Sequence, residues 1–198
     1  MGKRHNKKER PAKENARSAG GPPTWLDMHG RDLKFLVVFG MLMAFYYAAT
    51  TTAAVNDHFF PWYLQRTASV AGSVVNGLGF EGMEVRDKTL YCKRGTITVE
   101  RGCDAVAPTA LFLSAVIASP APWMYKLVGL FAGTFILMIV NIVRIITLFW
   151  TRVFWVKAFD VMHLDIWQFL FILLAILLWA MWASASTKRT KRRADVST

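Results

Sequence analysis

The sequence predicts an all-α membrane protein with four transmembrane helices and a small extracytoplasmic β-element before the second helix. Long uncharged apolar runs in the middle of the chain predict the helices. The 198 residues are 54% hydrophobic yet carry a formal net charge of +11, because lysine and arginine collect at the two ends. Basic ends around apolar spans are typical of membrane proteins. We therefore expect contact with membrane lipid and no nucleic-acid partner.

The chain starts with a basic segment that leads into a first transmembrane helix. Residues 1–32 are predicted to be a disordered cytoplasmic tail, because the start of the chain holds almost no large apolar side chains. Residues 35–55 carry no charged side chain. At about 1.5 Å per residue, a run of this length crosses a hydrocarbon core of roughly 30 Å. The run begins too late for a cleavable signal peptide, and no convincing cleavage site follows it.

The segment after the first span is predicted to fold outside the lipid. Residues 59–63 (Phe-Phe-Pro-Trp-Tyr) form an aromatic cluster typical of the membrane interface. An interfacial helix is expected up to Phe80, with apolar residues at helical spacing at Val70, Val74, Val75 and Leu78. Residues 81–100 are rich in strand formers and predict short strands, with turns at Asp87-Lys88 and at Lys93-Arg94-Gly95.

Three further apolar runs complete the predicted membrane-embedded domain, residues 33–187. The runs at 127–151 and 166–187 are long enough to cross, whereas 105–119 is short. Residues 188–198 form a second basic tail, so both tails are expected in the cytoplasm. Two cytoplasmic tails require an even number of crossings. The short run is therefore predicted to cross as well.

Cys103 lies where the sequence changes from polar to apolar, at the predicted first turn of the second helix. Asp104 is a suitable N-cap, and Pro108 is tolerated in a first helical turn. Unpaired N–H groups and the positive end of the helix dipole favour a thiolate. Cys103 is thus a candidate nucleophile. The alternative is a small buried hydrophobic residue or half of a disulfide with Cys92.

Arg144 lies within the third predicted span, where an ionised side chain costs roughly 2.5–3.5 kcal/mol on insertion scales. Such residues usually face the bundle interior or a cavity. At helical spacing, one arc of the helix carries four polar residues, namely Asn141, Arg144, Thr147 and Thr151. This stripe indicates a functional inward face. The alternative is that Arg144 snorkels to the lipid headgroups.

His163 precedes the fourth span, on the same predicted side of the membrane as Cys103. Because its unperturbed pKa is about 6.5, histidine is a candidate general base or acid. Asp165 and Gln168 have the spacing of a capping box at the start of the last helix. We find no HExxH, CxxC, P-loop or dinucleotide motif, so no metal and no other cofactor is predicted.

These residues resemble the exosortase/archaeosortase superfamily of membrane-embedded cysteine transpeptidases. The resemblance rests on Gly-Cys at residues 102–103, Asn-x-x-Arg at residues 141–144 and His163, and it covers roughly residues 80–185. It is greatest to the compact exosortases, among which we favour the H-type subgroup. In many members a small polar residue and a glycine follow the cysteine, where this chain has Asp104-Ala105.

The resemblance implies a cysteine protease or transpeptidase in the bacterial cytoplasmic (inner) membrane, with its active site on the extracytoplasmic side. Its substrate would be an exported protein whose C-terminus carries a recognition motif, a transmembrane helix and a basic tail. Cys103 would form a thioester acyl-enzyme, His163 would shuttle the proton, and Arg144 would stabilise the oxyanion or the thiolate. Three further residues are expected to bind substrate or support the site: Asn141, Asp104 and Gln168.

Two other classes of function compete with this interpretation. One is a non-enzymatic membrane scaffold or assembly protein whose outer β-element is held by a Cys92–Cys103 disulfide. The other is a small transporter with Arg144 as an anion site, which the absence of visible internal repeats in the sequence disfavours. A free, reactive Cys103 favours the enzyme, and a disulfide favours the scaffold.

Overall fold

The computed structural model describes residues 25–79, 83–92 and 95–196. The long helices are α1 (Trp25–Thr50), α2 (Phe60–Gly77), α3 (Val106–Ala118), α4 (Trp123–Phe154) and α5 (Trp167–Val196). The strands are β1 (Glu84–Arg86), β2 (Thr89–Cys92) and β3 (Gly95–Thr98). Short π-helical turns at Val55–Phe59 and Val161–Ile166 lead into α2 and α5, and a 3-10 turn covers Val156–Ala158. The predicted fold class, an all-α membrane protein with a small β-element, is confirmed.

Three of the described helical segments are long and apolar enough to cross a membrane: Gly30–Thr50, Trp123–Phe154 and Val161–Lys188. The protein is therefore a multi-pass membrane protein. Helix α3 is strongly apolar but has only 13 residues. It is thus about 20 Å long, shorter than a hydrocarbon core of roughly 30 Å. It packs against α1, α4 and α5.

The start of α1 and the ends of α3 and α5 meet at one end of the bundle. A cavity of about 290 Å³ there is lined by residues of all three, among them Arg31, Ser119 and Ser186. The indole Nε1 of Trp179 donates to the Ser119 hydroxyl at 3.0 Å, and the Phe35 ring packs on Trp179 with centroids 5.7 Å apart. The basic termini of the described helices therefore lie at the same end, as an even number of crossings requires.

Several predicted boundaries differ from the structure. Helix α1 begins at Trp25, inside the predicted tail, and ends at Thr50 instead of residue 55. Helix α5 continues to Val196, through the tail predicted from residue 188. Lysine and arginine are good helix formers, so a basic segment that follows a membrane helix extends it. Residues 1–24 lie outside the described residues.

The three strands form one antiparallel sheet in the order β1-β2-β3. Arg86 pairs with Thr89, so Asp87-Lys88 is a two-residue turn, and Asp87 adopts the positive φ of 53° that such turns favour. The predicted turn at this position is confirmed. The other predicted turn includes residues 93–94, which lie outside the described residues.

Helix α2 covers the sheet, and most of the apolar residues singled out from the sequence lie outside its buried face. Of the apolar positions singled out from the sequence, only Val75 is buried, whereas Val70, Val74 and Leu78 are exposed. The buried face consists largely of small residues, namely Ala68, Ala71 and Gly72, together with Phe60, Leu64, Thr67 and Val75. A Cβ at Gly72 would overlap Val85 of β1. Close contact with the sheet therefore selects small residues, which a search for large apolar side chains overlooks.

Candidate active site

Cys103 lies in a tight turn between β3 and α3. Its side chain is 4% exposed, and its backbone N–H donates to the Glu100 carbonyl at 3.0 Å. Two residues of this turn have left-handed backbone conformations, Gly102 with φ 97° and Ala105 with φ 54°. These two reversals lead the chain from the sheet into α3 and leave the thiol among the buried residues of the core.

Asp104 organises the backbone beside the thiol. Its Oδ1 accepts the Val106 N–H at 3.1 Å, although the N-cap position of α3 belongs to Ala105. Burial raises the pKa of the Asp104 carboxyl, and the hydrogen bond from the Val106 N–H and the positive charge of Arg101 partly offset this rise. The N–H groups of Cys103 and Val106 are thus engaged by the Glu100 carbonyl and by this carboxylate. These two groups are not free to stabilise a thiolate, contrary to the sequence-based expectation.

His163 directs its imidazole at the thiol of Cys103. The Sγ atom lies 3.1 Å from Nδ1 and 3.5 Å from Nε2. The ring stacks on Phe159, with centroids 5.6 Å apart and an interplanar angle of 14°. His163 belongs to a π-helical turn, a distortion that is frequent at functional sites. A cysteine and a histidine in hydrogen-bond contact form a nucleophile–base pair.

The capping box predicted at the start of the last helix is wrong. The chain is already helical at residues 159–160, and Asp165 lies inside the π-helical turn that continues into α5. Asp165 therefore has no helix start to cap. Gln168 is exposed, and its supporting role stays a prediction.

Arg144 lies in the interior of the bundle and is 1% exposed, so the alternative that it snorkels to the headgroups is wrong. One of its Nη atoms donates to the His163 carbonyl at 3.5 Å, and its guanidinium lies 5.5 Å from the centroid of the Phe171 ring. Its Nε has no hydrogen-bond partner among the described residues. Helix α4 extends to Phe154, three residues beyond the predicted span, which places Arg144 about 15 Å from the helix end.

The polar stripe of α4 is confirmed as largely buried, but its members differ in how their polar atoms are paired. The Thr147 hydroxyl donates to the Arg144 carbonyl at 2.9 Å, and the Thr151 hydroxyl donates to the Thr147 carbonyl at 2.8 Å. Within the described part of the chain, neither amide atom of the fully buried Asn141 has a partner. The threonines are thus satisfied by their own helix, and Asn141 is not.

The charge state of Cys103 depends on opposing effects. Burial raises the pKa of the thiol, the nearby Arg144 lowers it, and the negative charges of Asp104 and Glu100 raise it, with a net rise. The resting thiol is therefore protonated at neutral pH and needs a base to react. Cys92 and Cys103 are both free, so the disulfide on which the scaffold hypothesis depends is not formed.

Two residues, Tyr63 and Arg101, make contacts that the sequence did not reveal and that hold the Cys103 turn. The Tyr63 hydroxyl of α2 donates to the Asp104 carbonyl at 2.8 Å, and burial raises the pKa of Tyr63 to about 12, so it stays a donor. Arg101 donates to Asn56 Oδ1 at 2.6 Å and lies 4.3 Å from the Phe60 ring centroid. In the sequence, these contacts were indicated only by the aromatic cluster at residues 59–63, which we interpreted as a membrane interface.

Comparison with known proteins decides the family. A model of the transmembrane exosortase family (Exosortase_EpsH) matches residues 25–190. The chain belongs to the transmembrane exosortases. No curated protein and no solved structure gives a significant match. Exosortases are membrane transpeptidases of the cysteine type that act on exported proteins with C-terminal sorting signals. The predicted superfamily is thus confirmed, and in this exosortase Cys103 Sγ and His163 Nδ1 lie 3.1 Å apart in a partly buried contact.

Proposed function

We propose that this exosortase cleaves the C-terminal sorting signals of exported proteins through a thioester acyl-enzyme on Cys103. The observation that carries the proposal is the 3.1 Å contact between Cys103 Sγ and His163 Nδ1, with the buried Arg144 beside both residues. The three residues come from separate elements, the turn before α3, the turn before α5, and α4. A nucleophile, a base and a fixed positive charge in one apolar site support acyl transfer.

The first half of the reaction forms the thioester. His163 takes the proton of the Cys103 thiol, and the sulfur attacks the scissile carbonyl carbon. The oxyanion of the tetrahedral intermediate binds the Arg144 guanidinium, since the N–H groups of Cys103 and Val106 are already engaged. The imidazolium then protonates the leaving amine, and the C–N bond breaks. The C-terminal fragment departs with its new amino group.

The second half regenerates the enzyme. An acceptor, either water or an amine, loses its proton to His163 and attacks the thioester carbonyl. The C–S bond breaks, and the proton returns to the Cys103 sulfur. The product carries the acceptor on its new C-terminus, and the choice between hydrolysis and transfer depends on which acceptor enters the site.

The positive-inside rule supports an orientation for the site. The described basic termini lie at the end of the bundle lined by Arg31 and Ser186, and positively charged ends favour the cytoplasm. Cys103 lies at the opposite end of α3 from Ser119, which borders that cavity. The proposed site therefore faces the extracytoplasmic side of a bacterial cytoplasmic membrane, where exported substrates arrive.

Cleavage of a sorted substrate by purified enzyme in detergent tests the proposal. Cys103→Ala should abolish cleavage, whereas the control Cys92→Ala should stay within about twofold of wild type. Arg144→Lys should lose about 100-fold or more, because lysine is a compact point charge that lacks the planar set of guanidinium donors. Hydroxylamine should release substrate from the wild-type enzyme during turnover, since it attacks thioesters.

The pH profile of His163→Ala adds a mechanistic check. Because burial raises the pKa of the Cys103 thiol, little thiolate forms at neutral pH without a base. Residual cleavage by His163→Ala should therefore be low at pH 7 and rise as the pH approaches the thiol pKa. Wild-type activity at pH 7 that equals the activity of His163→Ala would contradict the assigned base, and full activity of Cys103→Ala would refute the nucleophile.

A further inference from the structure

A groove between α2 and α4 lies next to the proposed site and has no assigned role. Its volume is about 340 Å³, and its walls are mainly apolar. Helix α2 contributes Trp62, Tyr63, Arg66, Thr67 and Val70, and α4 contributes Met138, Ile139, Asn141 and Ile142. A pocket of this size is at the lower end of the range for small ligands, so it accommodates a few side chains and not a whole helix.

The groove opens sideways from the bundle. Trp62, Val70 and Ile139 line it and are about half exposed, at 56%, 52% and 49%. Ile139 belongs to α4, a helix long and apolar enough to cross a membrane, so this wall of the groove borders lipid. A chain anchored in the same membrane can therefore enter the groove laterally, without passing through water.

Asn141 defines the chemistry of the occupant. It is fully buried, it lines the groove, and neither its amide nitrogen nor its amide oxygen has a partner among the described residues. An unpaired buried amide is costly unless a ligand supplies both an acceptor and a donor. A peptide backbone offers a C=O and an N–H for this purpose. A lipid acyl chain offers neither.

One hydrogen bond and one helical spacing relate the groove to the reacting thiol. Tyr63 lines the groove and also donates to the carbonyl of Asp104, the residue that follows Cys103. Asn141 lies one turn before Arg144 on the same face of α4, about 4.5 Å along the helix axis. An extended chain advances roughly 3.3 Å per residue. A peptide held at Asn141 therefore has its next residue or two beside Arg144, which donates to the His163 carbonyl.

We infer that this groove binds an extended peptide segment of the substrate, immediately beside the scissile bond, and that the Asn141 amide hydrogen-bonds to its backbone. The inference rests on the proposed function and adds to it the place where the substrate peptide lies. Asn141 is a positioning residue in this account, because it holds the substrate and leaves the chemistry to Cys103 and His163.

Photo-cross-linking shows what occupies the groove. A photoreactive amino acid at Ile139 in the Cys103→Ala enzyme, co-expressed with a sorted substrate, should cross-link to the substrate segment that directly precedes its transmembrane helix. The control position is Leu177 on α5, which is 50% exposed and does not line the groove. It should give no cross-link to that segment. Cross-links from Ile139 to lipid alone, or equal peptide yields at both positions, would overturn the inference.

Kinetics of Asn141→Leu separate substrate positioning from structure. We expect KM to rise at least tenfold with kcat within about threefold, while alkylation of Cys103 by iodoacetamide keeps its wild-type rate. The melting temperature should not fall, because leucine removes an unpaired buried amide. Unchanged KM, or a loss confined to kcat with slower alkylation, would refute the assigned role.

The two experiments also distinguish this inference from the proposed function. The cross-link forms without cleavage, so it does not depend on Cys103 being the nucleophile. Cleavage that requires Cys103 together with a lipid-only cross-link would leave the proposed function standing and remove the groove. Cleavage by Cys103→Ala together with a peptide cross-link would refute the proposed function and leave the peptide groove standing.

Discussion

Ala105 holds a left-handed backbone conformation, with φ 54° and ψ 9°, between Cys103 and the first turn of α3. For a residue with a Cβ, this conformation costs about 1–2 kcal/mol. Glycine adopts it without that penalty. The glycine that many members of the superfamily have at this position fits the same backbone. Alanine at position 105 is therefore a local strain next to the proposed nucleophile.

Ala105→Gly should raise the stability of the protein by roughly 0.5–1 kcal/mol, because relief of the strain exceeds the extra chain entropy of glycine in the unfolded state. The measurement is the melting temperature of the purified protein in detergent. Ala110→Gly within α3 is the matched control and should lower stability by about 0.5–1 kcal/mol, since glycine weakens a helix interior. A decrease of similar size in both variants would show that residue 105 is not strained.

Helix α3 owes its position to close packing against α4. The Phe112 ring, 1% exposed, packs directly on the backbone of Gly133, where a Cβ would overlap the ring. Because the turn with Cys103 continues into α3, this packing also determines where the thiol lies. Glycines that let helices approach closely are common in membrane bundles.

Gly133→Ala should destabilise the protein by about 1–3 kcal/mol through overpacking, and it should also slow cleavage, since α3 must move. Gly40→Ala in α1 serves as the control. A Cβ at Gly40 has no atom within 4 Å, so alanine there should be neutral or stabilising. Melting temperature and cleavage rate are measured for both variants. Equal stability of the two would mean that the Phe112 ring shifts without cost.

The whole molecule is a bundle with its basic ends on one side and the proposed site towards the other. Phe35, Ser119 and Trp179 join α1, α3 and α5 at the basic end. Tyr63 and His163 hold the Cys103 turn at the other end. The membrane orientation then decides which compartment the site serves.

Single-cysteine labelling in intact cells tests this orientation. In a background with Cys92→Ser and Cys103→Ser, Ser73→Cys on α2 should react with a membrane-impermeant maleimide. Thr187→Cys near the basic end should react only after the cells are permeabilised. Both positions are exposed, so differences in labelling report the side of the membrane and not burial. Labelling of both sites in intact cells would contradict the predicted arrangement of four crossings.

Much of the architecture follows from the sequence by itself. Apolar run lengths determine that α1, α4 and α5 cross a membrane, because the hydrocarbon core sets a minimum helix length. Strand-forming residues and the Asp87-Lys88 turn predict the small sheet. The Cys, Arg and His motifs indicate the family that the comparison confirms. These are local patterns, and they depend on one segment at a time.

The tertiary structure alone decided how those segments combine. The contact between Cys103 and His163 joins residues 60 positions apart, and no local pattern contains it. The burial of Arg144, the link from Tyr63 to Asp104 and the unpaired amide of Asn141 depend on which helix faces meet. The ends of α1 and α5 and the π-helical turn at His163 also escaped the sequence patterns. Contacts with neighbouring elements determine where a helix ends and which of its faces is buried. The sequence of the helix alone does not contain those contacts.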